Sequence, residues 1–552
     1  MKDRIEGGTG LKYTWKAAPA VIASIALTAY GGAGAFASAA SAASLHRAAP
    51  LTGTINVDFS GPSGNGWHAV AAAYEKLHPG VKVNVQYQNP STYNTWLTAQ
   101  FSAGKPTADL VTNNTVAALQ TAGKFVDFLP WMFRMDPYTH KLWVKSFNWG
   151  EIGYNPYTGN DAATPHYYSM NFQIVQVLWM YNKTLWAKAG IHAPPKTFNE
   201  MIADFKKLKA SGTIPLAVGG TYNSLWADVG GWMTRIYPDQ YVRSSVKWAR
   251  ARPGDWDYIK AVDGKWHYNP KNPNNDNSNM VDVNAARQWE LVKQAKRPSY
   301  NLASAKWQAV DRNLRTLFSY AEPGFTGTGD TAAYSLFLAQ KAATTPTGDW
   351  EISSFKKDLS NVQYTGGKGK KFKPFQYGFF EMPSMTGPYV EAPARTINLP
   401  IGFLGFVNKN PQQTALDMNF MMWYTSPQGQ SIAMQAAYKS PNGSVLPVAI
   451  YGVKPPAALA KQFASLHYIG NSEGKPTSTM IARGLADYQP SVVSWVSLAQ
   501  KYFTGGMSTK AYATASEANI QKYFTAALEN VGNMTPADLQ TPQKTPIPPA
   551  KH

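Results

Sequence analysis

Residues 54–88 read TINVDFSGPSGNGWHAVAAAYEKLHPGVKVNVQYQ, and the order of patterns within them decides the fold class. Ile55, Val57 and Phe59 alternate with polar residues, the period of a half-buried strand. The Gly-rich GPSGNG then turns the chain. Trp67, Val70, Ala71, Tyr74 and Leu77 fall at helical spacing up to a stop at Pro79-Gly80, after which VKVNVQYQ alternates again. A strand, a helix and a strand joined this closely predict parallel strands with a crossover helix.

The same alternation continues outward. A helix is expected at about 92–103, a short strand at ADLVT, and a helix over 115–122 that stops at Gly123. QIVQVLWMYN reads as an apolar strand, KTFNEMIADFKKLKASG as an amphipathic helix ending at Gly212, and IPLAVGG as a further strand. Leu416, Phe420 and Trp423 share one face of a helix in QTALDMNFMMWYTS. Repeated strand–helix alternation predicts α/β architecture, with ligands at the carboxyl ends of the strands. Residues 240–310 are helix-rich, interrupted by NPKNPNNDNSN at 269–279. That run lacks the central Gly and terminal Glu of a calcium loop and reads as a surface loop. The Pro-rich tail, 539–552, is expected to be disordered.

Composition narrows the function. At 552 residues the chain predicts two or more lobes, and 44% hydrophobic with 13% aromatic residues supply their cores. The absence of cysteine excludes disulfides, thiolate chemistry and Cys-ligated metals. A net charge of +19 raises nucleic acid as a partner, but no zinc-finger spacing, basic zipper or RNA-binding signature accompanies it. The densest cluster, KGKKFK at 368–373, reads as a solvated hairpin tip. The charge fits attraction to an anionic envelope better. At the N-terminus, Lys2, Arg4, Lys12 and Lys16 outweigh Asp3 and Glu6 ahead of an uncharged stretch from Ala17 to Leu45. This is the layout of a secretory signal, with A-x-A sites at Ala37–Ala39 and Ala40–Ala42. Residues 1–44 are therefore a signal peptide or an uncleaved anchor.

Catalytic constellations are missing. There is no HExxH, P-loop or G-x-S-x-G, GFTGTGD at 324–330 is only a Gly-rich loop, and the nine histidines have no ligand spacing. No catalytic residue, metal site or cofactor is expected. A carboxylate pair across a cleft, as a glycan hydrolase or lyase uses, stays open as an alternative.

Several segments resemble family 1 of the extracellular solute-binding proteins, carbohydrate receptors of bacterial ABC importers. AVAAAYEKLHPGVKVNVQY, AGKPTADLVT, LWMYNKTLWAKAGIHAPPKTFNEM, IPLAVGGTYNSLWADVGG, AATTPTGDWEISSF and GFLGFVNKNPQQTALDMNFMMWYTSPQGQ occur in the family's order, covering about 52–535. The resemblance implies a two-lobed, periplasmic-binding-protein-like (type II) α/β fold with a ligand cleft between lobes. It implies an N-lobe of 52–169 plus 405–450 and a C-lobe of 170–404 plus 451–538, joined near 168–171, 401–405 and 450. A sugar or oligosaccharide and membrane permease subunits are the implied partners, the receptor itself being a monomer without nucleic acid. Beside it, Leu27-Thr28-Ala29-Tyr30-Gly31-Gly32 resembles a lipoprotein signal in which Tyr30 occupies the lipid-bearing cysteine's place.

A sugar needs flat aromatic surface for its C–H face and amides or carboxylates for its hydroxyls. By position in the resemblance, Trp350 is the stacking candidate with Asp349 as acceptor, and Trp226 with Asn223 a second pair. Asn113 and Asn114 follow the strand DLVT, Asn65 and Trp67 follow the first strand, and Asn171 and Gln173 stand on the first crossing segment. Trp495, in SVVSWVSL, is a late candidate. A same-fold receptor for a peptide or polyamine is the remaining alternative, and a polyamine site should gather several carboxylates.

Overall fold

The computed structural model describes residues 50–61, 65–89, 92–113, 119–120, 122–153, 166–441, 443–473 and 477–546. The signal segment with Tyr30, Asn114, and most of the helix expected over 115–122 lie outside the described residues.

Two main sheets hold nine strands among the described residues. In chain order these are β1 (Thr52–Ser60), β2 (Gly80–Gln88), β3 (Leu110–Thr112), β4 (Gln173–Asn182) and β5 (Ile214–Leu216). There follow β6 (Ala342–Gly348), β7 (Tyr377–Phe380), β8 (Asn398–Ile401) and β9 (Leu404–Phe406). The helices used below are α1 (Trp67–Leu77), α2 (Phe198–Ala210), α3 (Val229–Val242), α4 (Asp330–Leu338) and α5 (Glu351–Asp358). They continue with α6 (Pro411–Tyr424), α7 (Pro427–Lys439), α8 (Gln489–Phe503) and α9 (Thr509–Asn530).

The opening stretch forms the unit its pattern predicts. β1 and β2 are parallel, in register from Thr52 opposite Gly80 to Ser60 opposite Gln88. Ile55 and Val57 face inward, and α1 covers them with Trp67, Val70, Ala71 and Tyr74. Gly66 starts α1 at φ 84°, and a Cβ there would stand 2.5 Å from the Ala433 carbonyl oxygen, so only glycine lets α7 approach. β3 adds in parallel to β1 and β9 antiparallel to β3, giving the order β9-β3-β1-β2.

The second sheet is mixed. β4 pairs antiparallel with β6, β7 and β8, while β5 lies parallel to β6. β4 is regular through Gln173–Asn182. α2 enters as its sequence suggests, Thr197 Oγ1 accepting from the Glu200 N–H while Glu200 reaches back to the Lys196 N–H, a reciprocal cap. Separate apolar cores back the sheets, one around Trp67, Trp143 and Trp423, the other around Trp179, Trp186 and Trp495.

Three segments run between the sheets side by side. Met170 exchanges backbone bonds with Leu404, and Ile174 donates to Pro447 and Ala449 to Phe172. The chain changes sheet between β8 and β9 over Gly402-Phe403, both at positive φ (126° and 49°). For Phe403 that conformation is sterically costly and must be held from outside. Asn171 Oδ1 accepts from the Phe403 N–H at 2.8 Å, and the Asn113 N–H donates to the Phe403 carbonyl at 2.8 Å.

Three local expectations are corrected. Within the 269–279 run, Asn275, Asp276 and Asn277 are buried, because Arg395 forms ion pairs with Asp276 and with Asp239 beneath them. Burial opposes charge on Asp239, yet the Arg243 and Arg395 guanidiniums hold its carboxyl below the usual range. KGKKFK is an exposed connection from a helical turn (Val362–Thr365) towards β7, not a hairpin tip. The tail stays seated past 539: Leu539 is buried, and the Pro542 carbonyl accepts from the Trp256 N–H and from Asn284 Nδ2.

Candidate functional site

The carboxyl ends of β5 and β6 open into a cavity of about 270 Å³. Its floor is Thr345, Pro346 and Thr347; Trp232, Trp350, Tyr334 and Tyr364 supply aromatic surface, and Asp228, Asp330 and Glu351 supply carboxyls. Trp350 stands two residues past the end of β6, and its ring lies over Gly348, where a Cβ would come within 1.8 Å of Cζ3. The ring meets Trp232 edge-on, with centroids 6.0 Å apart at 75°. Its Nε1 donates to Glu351 Oε1 at 3.1 Å, so packing and a hydrogen bond together fix the platform.

Glu351 is a buried positioning group. Tyr334 Oη donates to its Oε2 at 2.6 Å and Ser354 Oγ at 2.7 Å. Burial, and then the Asp358 carboxyl, push its carboxyl well above the usual range. Asp330 begins α4 and accepts from Ser224 Oγ at 3.0 Å. Burial and the neighbouring Asp228 push its carboxyl up to about 6. Gly219 makes room for it, since a Cβ there would stand 2.2 Å from Asp330 Oδ1.

A second cavity, of about 370 Å³, lies at the carboxyl ends of β1 and β3 beside the crossing segments. Phe59, Ser60, Asn65, Thr112, Gln173, Tyr424 and Gln430 line it together with Gly402 and Phe403. The first turn of α5 stands between the cavities. Trp350 and Glu351 line the first, while Ile352 clusters with Met434, Ala437 and Val445, which line the second. Ser353 Oγ accepts from the Val445 N–H at 2.9 Å, and Lys357 Nζ donates to the Ser440 and Gly443 carbonyls. A larger groove of about 590 Å³ follows the later turns of α5 and is lined without a carboxylate.

Of the residues singled out in the sequence, the structure places Trp350 in the first cavity and Asn65 and Gln173 in the second. Asp349 is fully buried behind Trp350, its N–H donating to the Gln176 carbonyl, and burial raises its carboxyl well above the usual range. The carboxyl that reaches the cavity is that of Glu351, two residues on, because α5 starts there and turns it inward. Trp67 is 2% exposed and stacks on Tyr424 at 4.4 Å, so Tyr424 rather than Trp67 meets the second cavity. Asn113 is buried and donates through Nδ2 to the Tyr168 carbonyl, so like Asn171 it braces the crossing. Trp226 packs against the second core, its indole N–H directed at Asp487, and Asn223 is exposed; neither lines the cavity. Trp495 is a core residue, 1% exposed, donating from Nε1 to Tyr512 Oη at 3.0 Å.

Sequence reading missed Trp232, Tyr334, Tyr364, Asp228 and Asp330. Asp330 closes the Gly-rich GFTGTGD and Asp228 lies in NSLWADVGG, so both stood in stretches already noted. Tyr364 arrives from the helical turn before KGKKFK, and no local pattern marks it. Among the described residues, no group of acidic or histidine side chains forms a metal site, and no helix is long and apolar enough to cross a membrane.

Comparison with known proteins agrees with this architecture. A relative from Mesorhizobium japonicum, a probable sugar-binding periplasmic protein, is 26% identical over 298 residues. That match covers 52% of this chain and 57% of the relative's length. The fold is similar to a chitin oligosaccharide binding protein (TM-score 0.52, 16% identity, 86% of this chain and 99% of that one). It is also similar to the cyclic alpha-maltosyl-1,6-maltose binding protein of Arthrobacter globiformis (0.51, 14%, 86% and 99%). A probable secreted solute-binding lipoprotein of Streptomyces coelicolor gives 0.53 at 12% identity, over 84% and 98%. At such identities these likenesses concern the bilobed fold alone. The model of the bacterial extracellular solute-binding proteins matches residues 60–431, about two thirds of the chain, and the protein belongs to that family.

Proposed function

We propose that the chain is an exported receptor that captures a sugar or oligosaccharide between its lobes and hands it to the permease subunits of an ABC importer. The observation that carries this reading is the first cavity: a fixed tryptophan face, backed by further aromatic rings and bordered by carboxyls, at the ends of parallel strands. The second cavity, with Asn65 and Gln173, supplies the opposing half of the site. Closure about the three crossing segments brings the halves together, and the ligand drives it only through contacts that the closed form alone provides. The family's members are transport receptors rather than catalysts, and the carboxyls here act as hydrogen-bond acceptors.

The lobe assignment of 52–169 plus 405–450 against 170–404 plus 451–538 is supported by the change of sheet at Gly402-Phe403. Export ends either in release after Ala39 or Ala42 or in retention by the uncut segment. With Tyr30 in place of a cysteine there is no thiol for a lipid. A native N-terminus starting before Ala37 sinks the cleavage reading. The receptor acts as a monomer without nucleic acid.

The test is a thermal-shift screen against mono- and oligosaccharides, because a ligand that binds only the folded state raises the melting point. Trp350→Ala is expected to abolish the shift while the unliganded protein still melts cooperatively. Peptides or linear polyamines shifting the melt where no sugar does would overturn the proposal.

A further inference from the structure

The first cavity has a composition opposite to that of the chain around it. The protein carries 52 Lys and Arg against 33 Asp and Glu, yet the cavity wall holds three carboxyls and no basic side chain. The carboxyls are not equivalent. Glu351 is already satisfied by Tyr334, Ser354 and the Trp350 indole. Asp228 and Asp330 are different, because they line the same wall as close neighbours: the Asp228 charge raises the Asp330 carboxyl, while a hydrogen bond from Asp330 eases the charge on Asp228. Asp330 Oδ1 is buried and has no partner within hydrogen-bond distance among the described residues, Ser224 Oγ being directed at Oδ2.

A neutral hydroxyl placed between two carboxylates leaves their repulsion in force. An ammonium removes it, offers three donors and no acceptor, and is attracted to aromatic faces as well. Trp232 and Trp350 present such faces at the same cavity. Arg235 attracts Asp228 through space, but its hydrogen bonds go elsewhere, to Glu473 and to the Gly231 and Ala227 carbonyls.

We infer that this cavity selects a sugar bearing a protonated amine, its ammonium lodged between Asp228 and Asp330 while Trp350 carries the ring. The inference rests on the sugar-receptor reading and narrows its substrate class. An N-acetylated amine has lost both the charge and two donors, so it should be discriminated against along with the plain hydroxyl.

The test is calorimetric titration of the full chain with matched probes. They are glucosamine, N-acetylglucosamine and glucose, the galacto equivalents, and the β-1,4-linked trisaccharides of the gluco set, with spermidine as a linear amine. The expected result is that an amino sugar binds at least tenfold tighter than both of its neutral counterparts and weakens as salt is raised. Asp228→Asn, at an exposed position, and Asp228→Asn with Asp330→Asn should each reduce that preference, the double variant bringing the amino sugar to the affinity of its neutral counterparts. A neutral probe binding the parent as tightly as its amine overturns the inference and leaves the sugar reading intact. Spermidine binding with no sugar binding overturns the sugar reading instead, and no binding by any probe overturns both.

Discussion

Gly348→Ala isolates the role of the Trp350 platform. Gly348 is not at positive φ, so alanine meets no backbone penalty there. Its new Cβ, however, would stand 1.8 Å from Trp350 Cζ3 and 2.1 Å from Cε3, far inside contact distance. The indole must swing away, which breaks its bond to Glu351 and its edge contact with Trp232. A sugar covering roughly 80 Å² of indole face gains about 2 kcal/mol from it, or about 30-fold in affinity. The variant should therefore lose about that factor by calorimetry. Its unfolding free energy should fall modestly, by roughly 1–3 kcal/mol from local overpacking. Tryptophan fluorescence should register the moved ring. Parental affinity in a variant whose fluorescence has changed would refute the assignment of Trp350 as the platform.

Three further outcomes are expected. Asp417 on α6 is buried, bonded only through Oδ1 to Gln413, and burial with the Asp109 charge pushes it up to about 8. A carboxyl raised in the folded state gives its full stability below about pH 4 and loses it as pH rises towards 8, so Asp417→Asn should stabilise by up to about 4 kcal/mol at pH 7 and little at pH 4. Equal effects in urea unfolding at both values would exclude this. Trp495→Ala should cost about 3–5 kcal/mol of stability while the folded protein keeps its affinity, and lost affinity at unchanged stability would return Trp495 to the site. Asn171→Ala leaves the Phe403 N–H without its acceptor and should cost about 1–3 kcal/mol, with faster hydrogen exchange at that amide; unchanged protection would show that Asn171 does not brace the crossing.

Much of the fold was legible because its signals are local. Alternation in TINVDFS and VKVNVQYQ, helical spacing from Trp67 to Leu77 and the cap at Thr197 each depend on neighbours in the chain. So does the position of Trp350 just past a strand. The misread residues failed for one common reason: their environment comes from segments far away in sequence. Trp67 and Trp495 were plausible platforms until Tyr424 and Tyr512 covered them. The Asn-rich run read as surface until Arg395, more than a hundred residues on, drew Asp276 inward.

By itself, then, the sequence determined the α/β alternation, the family, and the stretch that ends in a stacking tryptophan. Those rest on periodicity and on order along the chain. Only the tertiary structure decided which carboxyl meets the cavity. Asp349 and Glu351 lie two residues apart, and the start of α5 sends one into the interior and the other to the wall. It alone set Asp228 against Asp330, residues a hundred positions apart whose joint electrostatics arise from proximity in space and from burial, neither of which a linear pattern records.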